Sequence, residues 1–242
     1  MPLRLCKRFT VVNSRQKLIL LTTLKNRYLS VSITMKYHMD DSYIDDKPSA
    51  FLYQRIMDCY PKSAIGCFII SDTWDEEALL ELKEKSEAWF LVGLQTDNSE
   101  LERLDIIEGI IRCQPDEVKD VTKLLDVNAA STIIGIDVVD IKSLFECGNL
   151  FQFIQVSATG DSESDLIKVT VHNLVSQLAK ARNTKGLFIG MESVQSLPLE
   201  AFAYISEAVE ELLSNNDAYI YYHSGMTDEP NSFRLRVMYA EA

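Results

Sequence analysis

Apolar and polar positions alternate between two rhythms along this chain, and the change of rhythm marks its elements. Ala64 to Ile70 and Ala88 to Leu94 are continuous apolar runs bounded by polar turns, the pattern of buried strands. Between them, Trp74 to Lys85 has acids early and lysines late, matching a helix dipole, behind the capping-type residues Ser71-Asp72-Thr73. Pro48 opens a further helical pattern, with Phe51, Leu52, Ile56 and Met57 on one face, closed by Pro61-Lys62-Ser63. The spacing predicts two short helices at Ser99 to Arg112 and Pro115 to Leu125.

The second half is more regular. Val138 to Glu146 reads as a short helix stopped at Cys147-Gly148, and Phe151 to Ser157 as a strand. A long helix runs from Ser162 to about Arg182, with Leu166, Leu174, Leu178 and Ile167, Val171, Val175 at multiples of four. Gly186 to Met191 is a strand, Leu199 to Ser214 a helix with Phe202, Ile205, Val209 and Leu212 inward, and Tyr219 to His223 a strand. Phe233 to Tyr239 alternates with a period of two, which predicts one packed and one partly exposed face. The whole is an α/β chain with a partly parallel sheet. It divides into a basic extension over 1–39, a partial α/β piece over 40–130 and a second piece over 131–242.

Charge sharpens that division. The first 39 residues carry eight Lys or Arg and no acid, which leaves 16 basic against 36 acidic residues, a net of −20, for the rest of the 242-residue chain. A body this acidic repels phosphate, which argues against nucleic-acid binding. The basic arm fits a transit-like segment, a hairpin of Lys17–Leu24 with Arg27–Met35 turning at Lys25-Asn26, or an upstream extension before Met35 or Met39. It reads as a poorly integrated segment. No apolar stretch reaches the ~20 residues of a membrane helix. Five scattered cysteines, never Cys-x-x-Cys, suit reduced thiols in a cytoplasmic setting. His38, His172 and His223 do not cluster, and no serine sits in a Gly-x-Ser-x-Gly setting. No cofactor or metal site is expected.

The stretch from Ile134 to Leu144 holds the candidate chemistry: Gly135, Asp137, Asp140 and Lys142 where an apolar approach gives way to a helix. Two acids three residues apart at a helix start have a structural explanation, as N-cap and N3 side chains that accept backbone N–H bonds. They also have a functional one. The order of blocks around them resembles the second half of the FtsZ/tubulin family. Pro48 to Tyr60 is similar to its helix after the glycine signature, and Ala64 to Ile70 to the strand beyond that helix. Ala88 to Leu94 with Gln95-Thr96-Asp97-Asn98 resembles the next strand and its end. Leu187 to Met191 and Phe233 to Val237 resemble two strands of its C-terminal domain. The resemblance implies a truncated FtsZ/tubulin-like fold in which a C-terminal four-stranded sheet packs on two helices. It further implies that the Asp137/Asp140 loop faces a neighbouring subunit, where the family's loop helps hydrolyse that subunit's GTP.

The departures bear on function. Where the phosphate-cradling glycines should stand, this chain has Asp40, Asp41, Asp45 and Asp46 in an acidic run, and none of its nine glycines forms a phosphate loop. The family's loop asparagine is Gly135 here. Intrinsic nucleotide binding and catalysis are therefore not expected. Three roles remain: an interaction module acting on a filament or a second copy through Gly135, Asp137, Asp140 and Lys142; an orphan structural or oligomerisation domain; or a GTPase completed in trans by Asp137 and Asp140. The retained acids and the missing asparagine favour the first.

Overall fold

A computed structural model describes residues 8–12, 17–24, 27–35, 47–71, 73–97, 105–129, 132–213 and 218–241. Its strands are β1 (Arg8–Val12), β2 (Lys17–Leu24), β3 (Arg27–Met35), β4 (Ala50–Tyr53), β5 (Ile65–Ile69), β6 (Phe90–Gln95), β7 (Ile107–Arg112), β8 (Thr132–Gly135), β9 (Leu150–Thr159), β10 (Gly186–Ser193), β11 (Tyr219–Met226) and β12 (Ser232–Ala240). Its helices are α1 (Glu76–Ser86), α2 (Val118–Leu125), α3 (Val138–Phe145), α4 (Glu163–Gln177) and α5 (Leu199–Leu212). These twelve strands belong to one sheet, in the order β1-β2-β3-β8-β11-β10-β12-β9-β7-β6-β5-β4.

The α/β class holds, and so does the C-terminal sheet. The strands near Phe151, Gly186, Tyr219 and Phe233 lie side by side as β11-β10-β12-β9, with α4 and α5 packed on them. Leu174, Leu178, Leu187, Phe202 and Ile205 are buried there, and Ile220 is half-buried. From β4 to β9 the pairing is parallel, with β9 beside β7. β9 then pairs antiparallel with β12 over nine residues, so the sheet continues unbroken from the first part of the chain into the second.

Helices cover both faces. Alternate residues of each strand point to opposite sides. On one side Phe90, Val92, Ile111, Phe151, Phe188 and Met238 form a core with α2 and α3. On the other, α1 lies over Phe68 and Leu91, while α4 and α5 lie over Ile189, Leu235 and Val237. α2 touches β4 and β5 as well as β12, so the twisted sheet curls around it. Gly190 makes that approach possible: a Cβ there would stand 2.6 Å from Leu124 Cδ1 of α2.

Three expectations are corrected. The helix expected from Pro48 to Tyr60 is instead the edge strand β4 and an irregular segment. Ile56, which a helix would turn inward, is 90% exposed, whereas Tyr53 is buried, stacks on Tyr60 at 6.0 Å and bonds Ser63. Pairing with β5 satisfies a backbone that an isolated four-residue apolar run leaves undetermined. Within the helix expected from Ser99 to Arg112, residues 107–112 form β7, because this Ile-rich segment finds β6 on one side and β9 on the other. Residues 98–104 lie outside the described ones. Finally, the arginine face of β12 is more covered than expected: Arg236 is 3% exposed, while Arg234 is partly exposed.

The acidic run at Asp40 to Asp46 and residue Asp72 fall outside the described residues. The cap of α1 is Asp75, which accepts the Ala78 amide at 2.8 Å. Of the three readings of the basic arm, the hairpin is the one seen. β2 and β3 pair antiparallel with Leu24 opposite Arg27, and β3 meets the rest of the sheet at Thr34 and Met35, opposite Gly135 and Ile134.

Candidate functional site

Strand β8 delivers the candidate loop. It sits between β3 and β11, with Ile134 opposite Ser224 and Gly135 opposite Thr34. The turn that leads into it from α2 is stitched to the start of β4: Asp126 accepts the Ser49 amide (2.7 Å) and hydroxyl (2.9 Å), the Asn128 amide donates to the Ser49 hydroxyl (3.0 Å), and the Thr132 amide donates to Ala129 (2.9 Å). Gly135 is buried, and a Cβ there would stand 3.0 Å from the Thr132 methyl and 4.0 Å from His223 Nδ1.

α3 starts at Asp137, whose extended backbone (φ −102°, ψ 174°) is that of an N-cap. Asp137 Oδ1 accepts the Asp140 amide at 2.9 Å, and Asp140 Oδ2 accepts the Asp137 amide at 3.1 Å. This reciprocal box satisfies two amides the first turn would otherwise leave open. Ile136, Val138, Ile141, Leu144 and Phe145 anchor the helix in the core, leaving Asp137, Val139 and Lys142 exposed and Asp140 half-buried. Asp140 also faces inward electrostatically. Burial first, and the Asp140 carboxylate next, push the Tyr221 hydroxyl up to about 12.

The four residues singled out in sequence thus share one short segment, with Gly135 inside it and Asp137 and Lys142 on its surface. His172 is exposed on α4, far in the fold's order from His223, which is buried on β11. Among the described residues, no group of three His, Cys, Asp or Glu could hold a metal ion, and no helix is long and apolar enough to cross a membrane. Cys59, Cys67, Cys113 and Cys147 are free thiols; burial pushes Cys67 up to about 12 and Cys113 to about 11.

A second constellation is not apparent in the sequence. Arg236 of β12 donates through all three of its nitrogens: Nε to Gln155 Oε1 (2.7 Å), Nη2 to Asp120 Oδ1 (2.6 Å) and Nη1 to Glu192 Oε1 (2.5 Å). Gln155 donates in turn to the other Asp120 oxygen at 3.3 Å. Glu192 also meets Lys123 at 2.8 Å and Arg234 at 3.5 Å, and Arg234 reaches Glu229 at 2.6 Å. Burial alone would raise the Glu192 carboxyl, but Lys123 and Arg236 outweigh it and hold it below its ordinary range. The available signal is a lone charge in an otherwise apolar strand, Glu192 in β10, with Arg236 in β12 to match it. Charges are rarely fully buried unless paired.

Comparison with solved structures fits this architecture. The chain is similar to CetZ1 from Haloferax volcanii as a GDP-bound monomer, with a TM-score of 0.51 and 9% identity over 74% of this chain and 65% of that one. It is similar to CetZ from Methanosaeta thermophila strain DSM 6194, with a TM-score of 0.50 and 11% identity over 75% and 63%. An FtsZ W319Y mutant from M. jannaschii matches with a TM-score of 0.47 and 15% identity over 74% and 56%. The chain therefore spans between 56% and 65% of the length of these structures. No family model matches its sequence, and neither does any curated protein. The fold is FtsZ/tubulin-like α/β.

Proposed function

We propose that this chain is an FtsZ/tubulin-like interaction module that does not itself bind GTP and that engages a filament, or a second copy of itself, through Gly135, Asp137, Asp140 and Lys142. The observation that carries the reading is the start of α3. Its capping box fixes two carboxylates in place beside an exposed Val139 and an exposed Lys142, so the surface is ordered before a partner arrives. In this reading the basic stretch 1–39, the 40–130 piece and the 131–242 piece are the working divisions of the chain, with the last one presenting the contact.

Replacing both acids by Asn tests it. Asn also caps well, so the helix start is retained while the charge a partner reads is lost. The double variant should keep its melting temperature and lose co-sedimentation with FtsZ-like filaments, or its own self-association. A titration with fluorescent GTP at millimolar magnesium should show no saturable binding to the wild-type chain. Micromolar affinity would end the non-binding part of the reading.

The same capping box favours a second reading, an orphan structural domain, because both carboxylates already accept local amides. Loss of stability in the Asn double variant with association intact would select it.

A further inference from the structure

We propose that the Arg236 cluster is a latch that fixes the orientation of α2 on the sheet, and through α2 the position of the turn after it, strand β8 and the Asp137 loop. Three elements of the second half converge on it: Gln155 from β9, Glu192 from β10 and Arg236 from β12. α2 answers with two side chains of opposite sign one turn apart, Asp120 held by Arg236 and Gln155, and Lys123 held by Glu192.

α2 also buries Val118, Val121, Leu124 and Leu125. Burial of apolar surface is non-directional. The seat of Leu124 over Gly190 sets how close the helix comes to the sheet and acts as a pivot. Rotation about that pivot exchanges one set of apolar contacts for another. It breaks the charged ones, because a guanidinium fork holds carboxylates in fixed geometry. The turn leaving α2 is bonded back to the helix: the Asp126 amide donates to Thr122 (3.0 Å) and Lys123 (3.3 Å), the Val127 amide to Leu125 (3.0 Å) and the Thr132 amide to Ala129 (2.9 Å), while Ser49 ties Asp126 and Asn128 to the start of β4. An orientation set at Asp120 and Lys123 is therefore passed on to β8. The latch is independent of any partner the Asp137 loop meets, and its test needs none.

Hydrogen exchange read by mass spectrometry on the full chain decides it, with wild type, Asp120→Asn, Arg236→Met and the triple variant Asp120→Leu/Glu192→Leu/Arg236→Met. Arg236→Met alone takes the shared guanidinium from two carboxylates and loosens the whole protein in any account. The triple variant removes Asp120, Glu192 and Arg236 together, leaves Lys123 open to solvent and Arg234 paired with Glu229, and should restore the denaturation midpoint. Even so, amides of Asp126 to Ala129 and Thr132 to Asp137 should exchange at least tenfold faster than in wild type, while those of β10 and α4 are unchanged. Wild-type protection of that segment in a stable triple variant overturns the latch. Should the triple variant not fold, Asp120→Asn decides: selective loosening of at least threefold in the same segment supports the latch, and unchanged or uniform exchange overturns it.

Discussion

At the residue scale the two acids at the start of α3 behave as a pair. Asp137→Ala should cost about 1 kcal/mol, and Asp137→Asn only a fraction of that, as measured by urea denaturation. This part of the candidate site is legible in sequence because a capping box is local, with both partners inside four residues. The Arg236 cluster is not, since Arg236 and Asp120 lie 116 positions apart and nothing near either names the other. Glu210 is a contrasting acid. Burial, with the neighbouring Glu207, raises its carboxyl above the ordinary value, so its ionised form is disfavoured in the folded state. A raised acid costs stability at neutral pH, and the cost disappears as pH falls through the raised value. Glu210→Gln should therefore stabilise the protein by about 0.5 kcal/mol at pH 7 and leave it unchanged at pH 4, as read by urea denaturation at the two pH values.

At the scale of elements, what local pattern can specify is readable. Helices α4 and α5 carry periodic apolar faces over three or more turns, α1 has acids early and lysines late, and β5, β6 and β10 are short apolar runs between turns. β4 and β7 look helical in sequence because segments of four to six residues satisfy either period. Their state is settled by β5, β6 and β9, neighbours that sequence order does not supply. The same reasoning bears on the arm. β3 contributes two residue pairs to the sheet beyond its own hairpin, so deleting residues 1–39 should lower the melting temperature by no more than about 3 °C in a calorimetric scan. A larger fall would make the arm integral to the core. Gly190→Ala, by contrast, drives a methyl into Leu124 at the α2 seat and should cost about 1–3 kcal/mol.

At the scale of the molecule, the sheet joins both parts of the chain and the charge cluster bridges them. Glu192 gives that bridge a pH dependence. Its carboxyl is held below the ordinary value, so its stabilising share is complete above the unfolded-state pKa, about 4.3. That share is lost as pH falls through the lower folded value. The denaturation midpoint should drop below about pH 4.5 in wild type and drop less in a variant carrying Leu at 120 and 192 with Met at 236.

β12 follows both of its neighbours in sequence and is one of the most central strands. β12 fills the gap between β10 and β9, bonding to both. Until Ser232 to Ala240 has been synthesised, β9 and β10 each hold an open row of amides and carbonyls beside apolar side chains, the kind of edge that recruits chaperones or other nascent chains. The sheet therefore cannot close early on the ribosome. Closure waits on one strand entering the gap between β10 and β9.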